Sequence, residues 1–237
     1  MNKYFKTNTI TTIAPAPAYD LWAADYDSQP GNLMLDLDEL IFTNLLQSID
    51  LKNKIVYDMG CGTGRHWKQL LDKYPAQLTG FDVSEGMLSK LMTKFPSASL
   101  ELIVEGNKLN ADSASCDVLL STLTIAHIKN LEDVLNEWCR VLKPSAHIII
   151  TDFHPDALVK GAQRTFRHDN KTMKVTNYVH PLSLIKKCLL ANGFKMVTEQ
   201  TRCVDEEVKQ YYVEQKAMPV YERFYGIPII YGLHLSR

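Results

Sequence analysis

Val56-Tyr57-Asp58-Met59-Gly60-Cys61-Gly62-Thr63-Gly64-Arg65 is the stretch from which the rest of this chain can be read. An apolar run ends in three glycines at alternate positions, and an amphipathic run over 65–73 follows. That is a strand turning sharply into a helix around a glycine loop. The alternation continues outward. Further apolar runs at 77–82, 100–105, 117–122, 146–153, 195–200 and 228–234 join 54–59 as strands. Between them, 85–95, 131–142 and 181–192 carry apolar residues at helical spacing, with Ser84 as an N-cap before the first and Gly193 just past the last. Strands alternating with helices predict an α/β fold whose parallel sheet is covered on both faces. Ahead of the sheet, 36–49 carries Leu37, Leu40, Ile41, Leu45 and Leu46 on one helical face, and 7–17, rich in Thr, Ala and Pro, reads as a flexible or extended lead-in. Two segments break the alternation: 155–180, where Asp169-Asn170 suits a hairpin turn, and 204–226, which is polar and rich in tyrosine. Both follow strands, where α/β folds place binding loops.

The glycine spacing bears on the ligand. A dinucleotide loop keeps its third glycine three residues beyond the second, whereas here Arg65 stands at that position and Asp58 precedes the loop. A carboxylate there repels a pyrophosphate and favours a ligand with an ammonium and a sulfonium, as in S-adenosylmethionine. Asp82, at the end of the second strand, lies about 20 residues beyond Gly62, where an acid accepts hydrogen bonds from a ribose diol. Glu105-Gly106 ends the third strand and can meet an adenine amino group. Three acids at three successive strand ends are more specific than the glycines alone.

These features resemble the class I S-adenosylmethionine-dependent methyltransferases, in particular the small-molecule group that includes ubiquinone/menaquinone-biosynthesis and malonyl-carrier-protein methyltransferases. The likeness spans about 19–200 and rests on Asp58 to Gly64, on Gly80-Phe81-Asp82-Val83-Ser84 with Met87-Leu88, on Ser115-Cys116-Asp117-Val118 leading to Ser121 and Ala126-His127-Ile128, and on Arg140-Val141-Leu142-Lys143-Pro144. It implies a Rossmann-like, seven-stranded, mainly parallel sheet in one domain: a helical N-terminal cap (1–50), a cofactor core (51–154) and two insertions (155–180 and 204–226) that form the acceptor pocket. It further implies that Asp58, Gly60, Cys61, Gly62 and Gly64 embrace the methionine half of the cofactor and Asp82 the ribose. Val83 and Met87 would take the adenine face, Glu105 and Gly106 its edge, with Ser121 also at the site. Tyr26, in the lead-in Tyr19 to Asp27, is the tyrosine expected to close over the cofactor; one packed aromatic face of Tyr19, Trp22 and Tyr26 is the alternative, and the two are compatible. Glu105, where the family usually has Asp, and Cys116, where it usually has an aromatic residue, are departures.

Methyl transfer from a sulfonium is mainly a problem of proximity and desolvation, so catalytic side chains leave a faint signature. His154, at the end of the fifth strand, is the first candidate for a base or an orienting group, with His127 and His180 behind it. For each, holding a loop carbonyl or capping a helix is the competing role. Tyr211, Tyr212, Tyr221, Phe224 and Tyr225 form either an aromatic wall over the acceptor or a packed helical stripe. Arg164, Arg167 and Lys171 either steer an acidic acceptor or coat a solvated hairpin.

The chain has 237 residues, 46% of them apolar, enough for a substantial core. Its 26 basic and 27 acidic residues provide no overall basic field, which argues against nucleic acid as partner. Five scattered cysteines without a paired motif suggest free thiols and no zinc site, and no metal is expected. No secretion signal or membrane-length apolar run is evident, so a cytoplasmic protein is expected. The reading is methyl transfer to an oxygen or nitrogen of a small organic molecule. RNA or protein methylation, and a non-catalytic cofactor-binding subunit, are the rivals.

Overall fold

Buried β-rich runs and amphipathic helices take up the places that their periodicity assigns them. A computed structural model describes residues 10–29, 31–103, 108–169 and 171–237. The chain begins with β1 (Thr11–Ile13), α1 (Pro15–Trp22) and α2 (Leu33–Leu46). The core follows with β2 (Ile55–Met59), α3 (Trp67–Leu71), β3 (Gln77–Asp82), α4 (Glu85–Lys94), β4 (Ser99–Leu102), β5 (Cys116–Thr122), α5 (Leu131–Val141) and β6 (Leu142–Phe153). After it come α6 (Pro155–Val159), β7 (Thr165–His168), β8 (Lys171–Val175), α7 (Leu182–Ala191), β9 (Lys195–Cys203), α8 (Lys209–Glu214), α9 (Met218–Phe224) and β10 (Pro228–Ser236).

The main sheet runs β4-β3-β2-β5-β6-β10-β9. All neighbours pair parallel except β10, which is antiparallel to both β6 and β9. The expected seven-stranded, mainly parallel sheet is thus what the chain forms. One face packs Ile41, Phe42 and Leu45 of α2 with Trp67 and Leu70 of α3; the other packs Leu135 and Trp138 of α5 with Ile185 and Leu189 of α7. Covering both faces is why the central strands read as unbroken apolar runs rather than alternating ones.

Local chemistry sets the helix starts. The Ser84 side chain accepts the Met87 N–H at 3.1 Å and opens α4, and Asn32 accepts from Met34 and Leu35, so α2 begins earlier than expected at 36. In contrast α3 begins only at Trp67, because Gly64 is held in the left-handed region and the turn continues through His66. Strand β4 ends at Leu102, and Glu105 and Gly106 lie outside the described residues.

The lead-in corrects its expectation over 11–17. It forms β1 and the first turn of α1, because Thr11–Ile13 completes a second sheet, β1-β8-β7, by pairing parallel to β8. Strands β7 and β8 pair antiparallel, as the hairpin reading requires. Ala18, Trp22, Phe166 and Val175 are the small core of this cap. Asp20 of α1 docks it on the main sheet by accepting from the Ser84 hydroxyl (2.6 Å) and the Gly86 amide (3.0 Å) at the start of α4. Among the described residues no helix is long and apolar enough to cross a membrane.

Candidate functional site

The carboxyl ends of β2, β3 and β5 open into a cavity of about 310 Å³. Its floor is the glycine loop. The amides of Gly60 and Cys61 both donate to the Phe81 carbonyl at the end of β3, which pins the loop against its neighbour strand. Gly60 sits at φ +72°, and a Cβ there would collide with the Thr124 side chain. Gly62 sits at φ +53°, and a Cβ there would meet no atom but would enter the cavity that Gly62 lines. A side chain at either position would therefore break the loop or fill the cradle.

Asp82 lines the same cavity and is held from two directions. Its Oδ2 accepts the Gly62 amide at 2.8 Å and its Oδ1 the Ser84 amide at 2.9 Å. Burial raises its pKa, while the amides oppose the shift. Each carboxylate oxygen has further lone-pair capacity, which is what a vicinal diol needs. Val83, Met87, Ile103 and Leu109 provide apolar wall. Leu123, also on the wall, is a non-glycine residue at φ +53°, a conformation costing roughly 1–3 kcal/mol, and its amide is tied to the Thr151 carbonyl at 2.8 Å.

Tyr19 and Tyr26 enclose the cavity from the cap. Their rings meet edge-on with centroids 6.1 Å apart, and Tyr19 stacks on Trp22 at 5.8 Å. The packed aromatic face of Tyr19, Trp22 and Tyr26 is therefore present, and Tyr19 and Tyr26 of that face line the cavity. The Tyr19 hydroxyl lies 2.8 Å from His127 Nε2, and His127 Nδ1 lies 3.0 Å from the Thr176 carbonyl. Since a carbonyl only accepts, Nδ1 carries the proton and Nε2 accepts from Tyr19. Burial lowers the His127 pKa to about 4. The ring is neutral with both nitrogens engaged.

Of the residues expected here, Tyr26, Gly60, Gly62, Asp82, Val83, Met87 and His127 line this cavity. Asp58, Cys61, Gly64 and Ser121 do not. Asp58 is buried beneath the loop, where the Trp67 indole N–H donates to it at 2.9 Å and burial raises its pKa to about 6. Cys61 turns its sulfur toward Gly80 of β3, and a Cβ on Gly80 would come within 2.7 Å of it. The Ser121 hydroxyl is buried without a partner.

His154 and His180 are corrected as acceptor-facing groups. His154 caps α6: its Nδ1 accepts the Asp156 amide at 3.2 Å, so it lies off both cavities. Proline at 155 and the free amide at 156 make a cap of whichever residue precedes them. His180 donates from Nε2 to the Ile128 carbonyl at 2.7 Å and fastens the loop after β5. Both perform the competing structural roles.

A second cavity of about 660 Å³ lies between the cap and the two insertions, lined by Trp22, Phe153, Arg164, Tyr211, Tyr212 and Phe224 among others. Arg164 is buried rather than solvated. It donates from Nη2 to the Tyr26 hydroxyl at 3.1 Å, so a hydrogen bond links a residue on the wall of the second cavity to one on the wall of the first. Asp152, at the end of β6, is another buried acid: its oxygens accept the amides of Ala126 (2.7 Å) and Phe153 (2.6 Å), and burial raises its pKa to about 7.

Sequence reasoning passed over Ile103, Leu123 and Asp152, and it named Tyr19 only as part of an aromatic face and Arg164 only as a steering or solvated charge. Tyr19 had a signal, since it shares the quoted lead-in with Tyr26. The burial of Arg164 had none, because it depends on the β7–β8 hairpin folding back over α1.

A methyltransferase domain model matches residues 57–150. The chain is 28% identical over 174 residues to a malonyl-[acyl-carrier protein] O-methyltransferase of Methylovorus sp. (strain MP688), covering 68% of this chain and 57% of that protein. It is 26% identical over 199 residues to the biotin biosynthesis bifunctional protein BioHC of Cellvibrio japonicus, covering 83% of this chain and 37% of that one. The chain thus spans well under two thirds of the length of these relatives. In structure it is similar to an S-adenosylmethionine-dependent methyltransferase from Listeria monocytogenes, described there as putative, with a TM-score of 0.63 and 20% identity, covering 84% of this chain and 97% of that one. The matched region starts in the strand before the glycine loop and ends in β6, so over 57–150 the chain is similar to a methyltransferase domain, and its whole sheet follows the plan of the class I S-adenosylmethionine-dependent methyltransferases.

Proposed function

We propose that this chain transfers a methyl group from S-adenosylmethionine to an oxygen or nitrogen of a small organic molecule. The observation that carries this reading is Asp82, fixed between two amides on the wall of one cavity, with a second, larger cavity whose Arg164 hydrogen-bonds Tyr26 of the first. The residues present suit the cofactor. Gly62 leaves open the space a side chain would take, Asp82 presents acceptors for a ribose, and Val83, Met87 and Ile103 offer apolar faces to an adenine. When bound, S-adenosylmethionine supplies an electrophilic methyl carbon on a sulfonium, a leaving group that needs no proton.

The chain's own contribution is enclosure and positioning. Tyr19, Tyr26 and Trp22 shut out water from the cap side. His127 is no base, because its Nδ1 proton goes to Thr176 and its Nε2 lone pair to Tyr19. Asp152 is buried and lines neither cavity. An acceptor that already presents a lone pair, such as a carboxylate or a neutral amine, suits a site of this kind. The Methylovorus relative is by name an O-methyltransferase, which favours oxygen. We read 155–180 and 204–226 as walls of the acceptor cavity, and the formal charge of −1 favours a small molecule over nucleic acid.

Calorimetry with S-adenosylhomocysteine and NAD, followed by incubation of cell extract with isotopically labelled S-adenosylmethionine, tests the reading. Tight binding of S-adenosylhomocysteine and protein-dependent labelling of a small metabolite are expected. Binding of NAD in its place would refute the cofactor assignment, and binding without any labelling would favour a non-catalytic subunit.

A further inference from the structure

Arg164 is buried to 5% exposure, and among the described residues no carboxylate is paired with it. Its guanidinium lies 5.1 Å from the Trp22 ring centroid and 5.9 Å from that of Tyr26, and Nη2 donates to the Tyr26 hydroxyl. Nε is buried with no partner. A buried guanidinium is normally matched by an acid, because removing it from water is costly and aromatic faces offset only part of that cost. The acid that bears on it electrostatically, Asp152, forms no ion pair with it among the described residues, and burial raises its pKa to about 7, so it supplies at most part of a counter-charge at neutral pH.

The cavity that Arg164 lines has the complementary character. Among the described residues Arg223 is the other charged residue on its wall, tied to the Lys160 carbonyl and lying over the Phe224 ring, and no Asp or Glu lines it. Trp22, Phe153, Phe224 and Ile229 give it an apolar side, and uncharged Gln29, Asn32, Gln163 and Gln215 supply much of the remainder. A positive, acid-free cavity whose unmatched guanidinium hydrogen-bonds the wall of the cofactor cradle is built for an anion with an apolar body.

We propose, resting on the transferase reading above, that Arg164 is the recognition point for a carboxylate of the methyl acceptor, which is therefore an organic acid with an apolar body. A carboxylate suits the guanidinium fork and neutralises its single charge, whereas a phosphate dianion would leave a buried negative charge. Tyr26 lines the first cavity and accepts from Arg164, so the proposed acid would bind one hydrogen bond away from that cavity's wall.

The test uses the full chain saturated with S-adenosylhomocysteine, saturation being checked by its own titration, and four probes with one apolar body: decanoate, decanol, decylamine and decyl phosphate. Decanoate should bind about 10-fold or more tighter than decanol, the scale of one charge-assisted fork. Arg164→Gln should abolish that preference, and Arg164→Lys, which keeps the charge but loses the fork, should retain part of it. If Arg164→Gln does not fold, as judged by circular dichroism, the lysine variant and the wild-type ranking still decide. Equal affinity for decanoate and decanol, tighter binding of decyl phosphate, or an acid preference that survives Arg164→Gln overturns the inference while leaving the transferase reading intact. Failure of S-adenosylhomocysteine to bind overturns that reading, and this inference with it.

Discussion

Asp82 ends β3 and His154 follows the end of β6 in the same sheet, and their fates diverge. Asp82 is gripped by two amides and lines the cofactor cavity; His154 turns aside to cap α6. Replacing Asp82 by Asn keeps the shape but removes the charge, and a hydrogen bond to a charged group contributes about 1.5–3 kcal/mol. Asp82→Asn is therefore expected to weaken S-adenosylhomocysteine roughly 10- to 100-fold by calorimetry in a folded protein. Undiminished affinity would remove Asp82 from the ribose role. His154→Ala should leave cofactor affinity and turnover alone and lower stability by about 1 kcal/mol, the usual loss at a helix cap, read from denaturant midpoints. A large fall in turnover at unchanged cofactor affinity would return His154 to the chemistry. Asp82 was legible because its distance from the glycine loop is set by one βαβ unit. His154 was not, because the residue after a strand end takes whatever direction the next turn demands, and here that turn begins with Pro155.

Between α2 and the turn before α3 lies a polar clamp that periodicity did not disclose. Asp38, fully buried, accepts from Arg65 and Thr151 and lies 3.0 Å from His66 Nε2, while His66 Nδ1 is 3.1 Å from Glu39. Burial works against charge on both partners, yet their mutual hydrogen bonds win: His66 is raised above its ordinary value and Asp38 is held down to about 2. The signs follow. The raised His66 stabilises the fold below its unfolded pKa of about 6.5, and that stabilisation is lost as pH rises through the higher folded value. The depressed Asp38 stabilises above about 3.9, and that contribution is lost as pH falls through its folded value. His66→Gln should thus cost about 1–3 kcal/mol at pH 6 and less at pH 9. Denaturant midpoints of both proteins at the two pH values test this; a gap that does not change with pH would mean that His66 is neutral throughout. Helix α2 was legible from Leu37, Ile41 and Leu45, but Asp38 on the same face reads as a surface acid until Arg65, His66 and Thr151 come together around it. Sequence distance hides such a cluster, since its members come from three separate elements.

At the scale of the whole molecule, the main sheet was the most legible feature, because its central strands β2, β5 and β6 carry dense apolar runs separated by helical or turn signals. The cap sheet was the least. Its strands are short and half-exposed, and β1 is ordinary Thr-Thr-Ile until β8 provides an edge for it. That pairing, with Ile13 opposite Val175, bears on the order in which the protein comes into being. During synthesis the glycine loop and Asp82 emerge and can fold as a βαβ unit while β8 is still unmade, so the cradle exists before its roof. Closing so long a loop for a three-residue strand is entropically dear, which makes this sheet a late step in folding. By the same reasoning it is the first part to open in the finished molecule, so the nucleoside can exchange through a local breathing of the roof while the seven-stranded sheet beneath stays intact.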